Sequence, residues 1–214
     1  MTRQVPSAAS RPPDLEVRAL TPSRFDDVVD LFGTRGDPSW CWCQYFLTTG
    51  DDYTRSTDDN REALRAQATR RPRPGLVAYA GGTPVGWVQV GPRPSYPRLT
   101  GNRALAKVAG DDMGDTGVWA VTCFVVKVGQ RRRGVGAALL EAAVTAARDA
   151  GAHTLEGHPV DVAARGGKSA SAELYHGALS TFLAAGFAEV GRTGPSRPVV
   201  RLALHESGPP RSRG

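Results

Sequence analysis

Three arginines and two glycines stand together at residues 131–136, directly after an apolar run and directly before an alanine-rich one. Gly134 and Gly136 lack a Cβ atom, so an anion can approach their backbone closely and positive φ angles are accessible. The first N–H groups of a helix have no partner within it, and they point outward at the positive end of its dipole. This spacing therefore predicts an anion site made of backbone amides, to which the arginine side chains add attraction.

The elements on either side of this loop follow from residue patterning. Val118 to Val126 is an apolar run rich in β-branched residues, which predicts a central strand buried on both faces. Residues 135–150 carry apolar side chains at helical spacing, and Gly151 ends that helix. Beyond it the patterns predict strands over residues 153–159, 187–192 and 199–204, and a helix over residues 171–185.

The first half of the chain also has readable patterns. Residues 15–20 alternate apolar and polar side chains, which predicts a strand. Thr21 and Pro22 then open a helix that runs to about Phe32. Later in this half we expect a helix over residues 59–70 capped by Asp58 or Asp59, a hairpin of strands 76–80 and 85–90 turning at Gly81-Gly82, and one or two helical turns over residues 102–108.

The pattern Arg131-x-x-Gly134-x-Gly136 resembles the coenzyme A pyrophosphate loop of the GNAT superfamily of N-acetyltransferases. That family has Gln or Arg, two residues, Gly, one residue, and Gly or Ala at this place. The predicted order β-α-α-β-β-β-α-β-α-β-β is the family's order as well. The resemblance implies an α/β (α+β) GNAT fold, in which a mixed sheet of about seven strands has helices on both faces and its fourth and fifth strands splay apart.

The same resemblance implies acetyl-CoA as the co-substrate, lying between the two splayed strands. Backbone groups of Phe124, Val125 and Val126 would pair with the pantetheine arm, and an N–H near Val125 would stabilise the oxyanion formed on attack. The pyrophosphate would lie against eight consecutive residues: Arg131, Arg132, Arg133, Gly134, Val135, Gly136, Ala137 and Ala138. The expected reaction is direct acetyl transfer to a bound amine, without a covalent enzyme intermediate.

Two other functions fit parts of the pattern. A dinucleotide-binding protein would explain Gly134 and Gly136 followed by Glu156 twenty residues on, but Leu139 occupies the third glycine position. An acyl-CoA-binding module without activity is the other alternative. The family commonly has a tyrosine four residues before the Gly-Phe pair, here Gly186-Phe187, and this chain has Phe182 there.

Proton transfer could involve three side chains. An alkyl amine of pKa about 10.4 must lose a proton before attack, at a cost of about 4.6 kcal/mol at pH 7, whereas a weakly basic amine needs almost no base. Glu156 on the fifth strand is the first candidate for a base and His158 the second. Their alternatives are a solvent-facing strand residue and a strand cap. Tyr175 lies two helical turns before Phe182 on the same face of the predicted helix, so it could replace the missing tyrosine as the acid only if the cofactor or the helix is shifted.

The acceptor side is predicted from aromatic residues. The segment 39–46, Ser-Trp-Cys-Trp-Cys-Gln-Tyr-Phe, falls between the first two helices, next to the family's acceptor pocket. We expect Trp40, Trp42 and Trp119 to contact the acceptor, because aromatic rings form rigid apolar walls. The alternative is a small core beneath a long loop. Cys41 and Cys43 have no second ligand pair at zinc spacing, so no metal is expected.

Length, composition and charge limit the domain organisation, the location and the partners that the sequence allows. The 214 residues suit a single domain over residues 14–205, with flexible Pro-, Ser- and Arg-rich tails at 1–13 and 206–214. No run reaches 18 apolar residues and no signal pattern is present, which predicts a cytoplasmic protein without a membrane partner. The net charge of +6 would suit nucleic acid, an anionic cofactor or an acidic surface. Because most of the basic residues are scattered along the chain, nucleic acid is not the expected partner. We expect a small-molecule or peptide amine as acceptor, and a homodimer is left open.

Overall fold

A long central strand, Val118–Val126, organises the sheet, because neighbours pair along both of its edges. The computed structural model describes residues 15–33, 37–50, 56–167 and 173–204, so the predicted tails at 1–13 and 206–214 lie outside the described residues. The strands are β1 (Leu15–Ala19), β2 (Gly75–Ala80), β3 (Thr83–Pro92), β4 (Val118–Val126), β5 (Thr154–Gly157), β6 (Ala188–Gly194) and β7 (Arg197–Ala203). They form one seven-stranded sheet in the order β1-β2-β3-β4-β5-β7-β6.

Only the pairing of β4 with β5 is parallel in this sheet, and it is short. It runs from Val118 opposite Thr154 to Val121 opposite Gly157, where β5 ends. Within the described residues, the second half of β4 therefore has no strand on that edge, and the two strands part. This confirms the predicted mixed sheet with splayed fourth and fifth strands. It also differs from the mostly parallel, doubly wound sheet that a dinucleotide-binding domain requires.

The helices lie on both faces of the sheet. They are α1 (Phe25–Phe32), α2 (Asp37–Cys41), α3 (Thr57–Gln67), α4 (Pro97–Thr100), α5 (Arg103–Ala109), α6 (Val135–Asp149) and α7 (Leu179–Ala184). Adjacent residues of β3 show the two layers, because side chains alternate along a strand. Val88 packs in the core that includes Leu139 of α6, whereas Trp87 packs in the core that includes Phe25 of α1.

The start of α3 differs from the prediction. Ser56 caps the helix, since its hydroxyl accepts a hydrogen bond from the Asp59 N–H at 3.1 Å. The Asp59 carboxylate accepts in return from the Ser56 N–H at 3.2 Å. Asp59 therefore occupies the third helical position of a capping box, and the prediction of Asp58 or Asp59 as the cap was wrong.

The predicted helix over residues 171–185 is not continuous. Residues 171–172 lie outside the described residues, a 3₁₀ turn covers Glu173–His176, and α7 begins at Leu179. Gly177 between them has φ +79°, a conformation that a continuing helix does not allow. Tyr175 and Phe182 therefore do not lie on one helical face, and this interruption decides where Tyr175 is placed.

Candidate active site

The loop between β4 and α6 has the backbone geometry of an anion site. Gly134 precedes α6 in the left-handed conformation with φ +79°, and Arg132 also has a positive φ of +62°. Among the described residues no side chain caps the first amides of α6, so these N–H groups remain available at the positive end of a 15-residue helix. The backbone of this loop therefore has a geometry that is compatible with an anion.

A groove of about 510 Å³ opens above this loop, at the place where β4 and β5 part. Eight of the predicted cofactor residues line it: Phe124, Val126, Arg131, Arg132, Gly134, Val135, Gly136 and Ala137. Three others do not. Val125 faces the opposite side of β4, and Arg133 is exposed outside the groove. Ala138 lies on the face of α6 that packs into the core. Strand and helix periodicity explain the positions of Val125 and Ala138.

Gly136 leaves open space at the start of α6. A Cβ atom built on this residue would meet no atom within 4 Å. The glycine is therefore not required by packing, and the free volume adjoins the available amides. A group the size of a phosphate can approach the helix start here without displacing protein atoms.

A second cavity of about 330 Å³ lies on the other face of β4. Its walls combine aromatic, thiol and small polar side chains: Pro38, Trp40, Cys41, Cys43, Tyr45, Phe46, Gln89, Thr122, Cys123, Val125, Tyr175 and His176. We call it the inner pocket. Alternation along β4 places Phe124 and Val126 in the groove and Cys123 and Val125 in the inner pocket, so one strand separates the two cavities.

The aromatic segment 39–46 is divided between pocket wall and core. Trp40 lines the inner pocket, whereas Trp42 is buried and stacks on Phe25 with ring centroids 6.2 Å apart. Trp42 and Cys43 have positive φ angles of 46° and 56°. This left-handed turn directs the side chains of Trp40 and Trp42 apart. Trp119 packs in the core between the sheet and α6. Trp42 and Trp119 therefore do not line the pocket, contrary to the prediction.

Tyr175 lines both cavities, and it is the described side chain that stands where they meet. Its neighbour His176 lines the inner pocket and packs edge-on against Phe46, with ring centroids 5.6 Å apart. His176 was not among the predicted site residues, and its position next to Tyr175 in the sequence was the available signal.

Phe182 occupies the family's tyrosine position as a fully buried ring. It packs against Phe124 and Phe187 at centroid distances of 6.0 and 5.1 Å. The ring also lies against β5, because a Cβ atom on Gly157 would come within 2.3 Å of it. Phe182 therefore packs between β4 and β5 as part of the groove wall, and Tyr175 reaches the groove from a different element.

Glu156 is completely buried and held by two arginines. Arg93, also completely buried, lies 3.3 Å from its Oε2 atom, and Arg201 donates to the same atom at 2.6 Å. Burial alone would raise the pKa of this carboxyl, but the neighbouring His158 and Arg201 lower it to about 2. A carboxylate this acidic is a poor base at neutral pH. The structure therefore favours a structural role for Glu156 and does not support the predicted role as a base. The alternative prediction, a solvent-facing strand residue, is wrong because the side chain is completely buried.

His158 lies outside the inner pocket. Its Nε2 atom is 3.2 Å from the Oε1 atom of Glu156, and its ring lines a neighbouring polar cavity of about 600 Å³. Arg98 and Arg197 line that cavity too. The polar cavity shares Tyr45, Phe46 and His176 with the inner pocket, so the two are adjacent. His158 thus faces the adjacent polar cavity and does not line the inner pocket, so the geometry does not support its predicted role as a base.

The three free cysteines all line the inner pocket. Cys43 accepts a hydrogen bond from the Trp87 indole N–H at 3.2 Å. A hydrogen bond with Cys123, together with burial, raises the pKa of the Cys43 thiol well above its ordinary value. Burial and the nearby Cys43 raise the pKa of Cys41 to about 11. Cys41 and Cys43 are therefore neutral at physiological pH and act as apolar wall.

In the part of the chain that the structure describes, no helix has both the length and the apolar character needed to cross a bilayer. Nor do three or more His, Cys, Asp or Glu side chains gather there into a metal-binding group.

Comparison with solved structures identifies the fold. PaiA N-acetyltransferase from Thermoplasma acidophilum, in complex with coenzyme A, superimposes with a TM-score of 0.52 at 13% identity, covering 88% of this chain and 98% of that chain. An N-acetyltransferase from Staphylococcus aureus Mu50 gives 0.53 at 14%, with 90% and 99% covered. YncA from Salmonella typhimurium, with its cofactor acetyl-CoA, gives 0.51 at 16%, with 94% and 99% covered. At such identities the likeness is one of fold.

The sequence itself identifies the family. The profile of the acetyltransferase (GNAT) family matches residues 39–166, which is more than half of the chain. The protein therefore belongs to the GNAT family of acetyltransferases. No curated protein matches the sequence significantly.

Proposed function

We propose that this protein transfers an acetyl group directly from acetyl-CoA to the amine of a small molecule or peptide. The observation that carries the proposal is the pair of cavities on opposite faces of β4, which meet at Tyr175 where β4 and β5 part. A donor in the groove and an acceptor in the inner pocket would approach each other at that point. Holding both reactants in place supplies much of the rate enhancement.

The groove suits the donor along its whole length. The available amides at the start of α6 and the open space at Gly136 would receive the pyrophosphate, with Arg131 and Arg132 adding positive charge. The unpaired edge of β4 around Phe124 to Val126 would hydrogen-bond the pantetheine arm, and an N–H near Val125 would stabilise the oxyanion. Phe124 and Val126 present an apolar wall beside that arm.

The reaction balances without an enzyme-bound intermediate. The amine nitrogen attacks the thioester carbonyl carbon, the C–N bond forms, the C–S bond breaks, and the amine loses a proton. Tyr175 would donate its hydroxyl proton to the departing thiolate and would regain a proton from water after the thiol leaves. Among the described residues that line the inner pocket none is Asp or Glu, so the amine's proton would pass to His176 or to water.

Thiol release in the presence of acetyl-CoA tests this proposal. The protein should bind acetyl-CoA in a calorimetric titration and should release free thiol when a panel of alkyl, aromatic and peptide amines is added. Phe182 at the family's tyrosine position favours the second candidate, an acyl-CoA-binding module without activity. That module would show the same titration but would release no thiol with any amine.

A further inference from the structure

We infer that the acceptor amine is weakly basic and is attached to a flat apolar ring, as in an aniline. This inference rests on the proposed function and names the substrate class of the same site. It comes from the chemical character of the inner pocket, in particular from the charges that its described walls lack.

The walls of the inner pocket are aromatic or neutral. Trp40, Tyr45 and Phe46 form one side, and Val125 with the thiols of Cys41 and Cys43 forms much of the rest. Within the described residues the lining includes no Asp, Glu, Lys or Arg. A flat ring can stack against such walls, whereas an ammonium group would be taken from water with no counter-ion beside it.

The polar groups on the pocket floor already bond to one another. Gln89 donates from Nε2 to the Cys43 carbonyl oxygen at 2.9 Å and accepts at Oε1 from the Thr122 hydroxyl at 2.7 Å. Cys43 in turn accepts from Trp87. Binding an ammonium group would require this buried network to be rearranged, since each of these contacts is used within the protein.

Arginine side chains line the neighbouring polar cavity. Arg98 and Arg197 line it, and it adjoins the inner pocket through Tyr45 and His176. Arg98 also stacks over the Tyr45 ring, with its guanidinium carbon 4.3 Å from the ring centroid. A cationic acceptor would therefore pass arginine side chains on this side and meet no described carboxylate in the inner pocket.

The protonation state of the amine then decides which acceptors can react. For an alkyl amine of pKa about 10.4, about one molecule in 2,500 is neutral at pH 7. Glu156 is a buried carboxylate on β5. It is held by Arg93 and Arg201 and does not line the pocket. An aniline is already neutral, so it can enter and attack without a base.

Paired ring amines test the inference. We would compare kcat/KM at pH 7 for a set of para-substituted anilines with that of benzylamines carrying the same rings. The anilines should be better acceptors by at least about 10-fold. A preference for the benzylamines, or acetylation of alkyl or peptide amines but of no aniline, would overturn the inference and leave the proposed function intact.

Trp40 allows a gain-of-selectivity variant. Its side chain is 39% exposed at the pocket wall, so a polar substitution there should not unfold the protein. Trp40→Glu installs a carboxylate, and Trp40→Gln is the control without charge. The benzylamine-to-aniline ratio of kcat/KM should rise at least about 10-fold in Trp40→Glu relative to Trp40→Gln, and an unchanged ratio would contradict the inference. If no amine of any class releases thiol from bound acetyl-CoA, the proposed function falls and takes the inference with it.

Discussion

Replacing Glu156 with glutamine separates a structural role from a catalytic one. The carboxylate is completely buried, and so is Arg93 beside it, so the neutral amide would leave this buried guanidinium with Asp111, 3.1 Å away, as its remaining counter-ion. Breaking a buried ion pair from one side costs about 3–5 kcal/mol. The lowering of the Glu156 pKa from 4.5 to about 2 corresponds to about 3 kcal/mol, which agrees with the lower end of that range.

We therefore expect Glu156→Gln to lower the free energy of unfolding by about 3 kcal/mol and the Tm by about 10 °C. Thermal and denaturant unfolding followed by circular dichroism would measure both. The matched control is Glu189→Gln, because Glu189 pairs with Arg192 at a partly exposed site. Its loss should cost less than about 1 kcal/mol.

The pH dependence has a definite sign. A carboxyl whose pKa is lowered on folding stabilises the protein above its unfolded pKa near 4.5, and this stabilisation is lost as the pH falls toward 2. The stability difference between wild type and Glu156→Gln should therefore be constant at neutral pH and shrink between about pH 4.5 and 2. Acetyl transfer per folded molecule should change little. Wild-type stability combined with a large loss of kcat would refute the structural role and restore the role of a base.

Three further predictions concern the groove, the acid and a helix cap. Gly136→Asp should weaken acetyl-CoA binding about 100-fold more than Gly136→Asn, as measured by titration calorimetry. The reason is that like charges about 6 Å apart repel by about 2.8 kcal/mol at an effective dielectric of about 20. Equal affinities of the two variants would argue against phosphate at this helix start. Tyr175→Phe should lower kcat about 100-fold with little change in the KM for acetyl-CoA, while Tyr45→Phe should not; an unchanged kcat would exclude Tyr175 as the acid. Ser56→Ala should destabilise the protein by about 1 kcal/mol in denaturant unfolding through loss of the capping box, and no change in midpoint would show that this cap contributes little.

The loop at residues 131–136 shows what local patterns can predict. The extent of β4 and the start of α6 depend on neighbouring residues in the chain, and both were predicted from the sequence. For Gly134 the sequence predicted only that positive φ angles are accessible, and its φ is +79°. Glycine's backbone freedom, helix-end amides and apolar periodicity act over a few residues. The splayed strands needed the family resemblance in addition to these patterns.

The placement of side chains needed contacts between residues distant in sequence. Trp40 and Trp42 look equivalent in the chain, but a left-handed turn and the rings of α1 bury one and leave the other on the pocket wall. Tyr175 reaches the groove because Gly177 interrupts the predicted helix. Neither outcome could be derived from periodicity, since both depend on how the turn packs against other elements.

Glu156 shows the difference between what the sequence predicts and what the tertiary structure decides. From the sequence it is an acidic residue at the end of a strand, which is where a base would be expected. In the structure Arg93 and Arg201, which lie 63 and 45 residues away, converge on its carboxylate. The residue types and their order determined the family, the strand and the glycine-containing loop at residues 131–136, because these depend on local backbone preferences. Tertiary structure decided which ionisable groups are free to react, because burial and charge pairing depend on the whole fold.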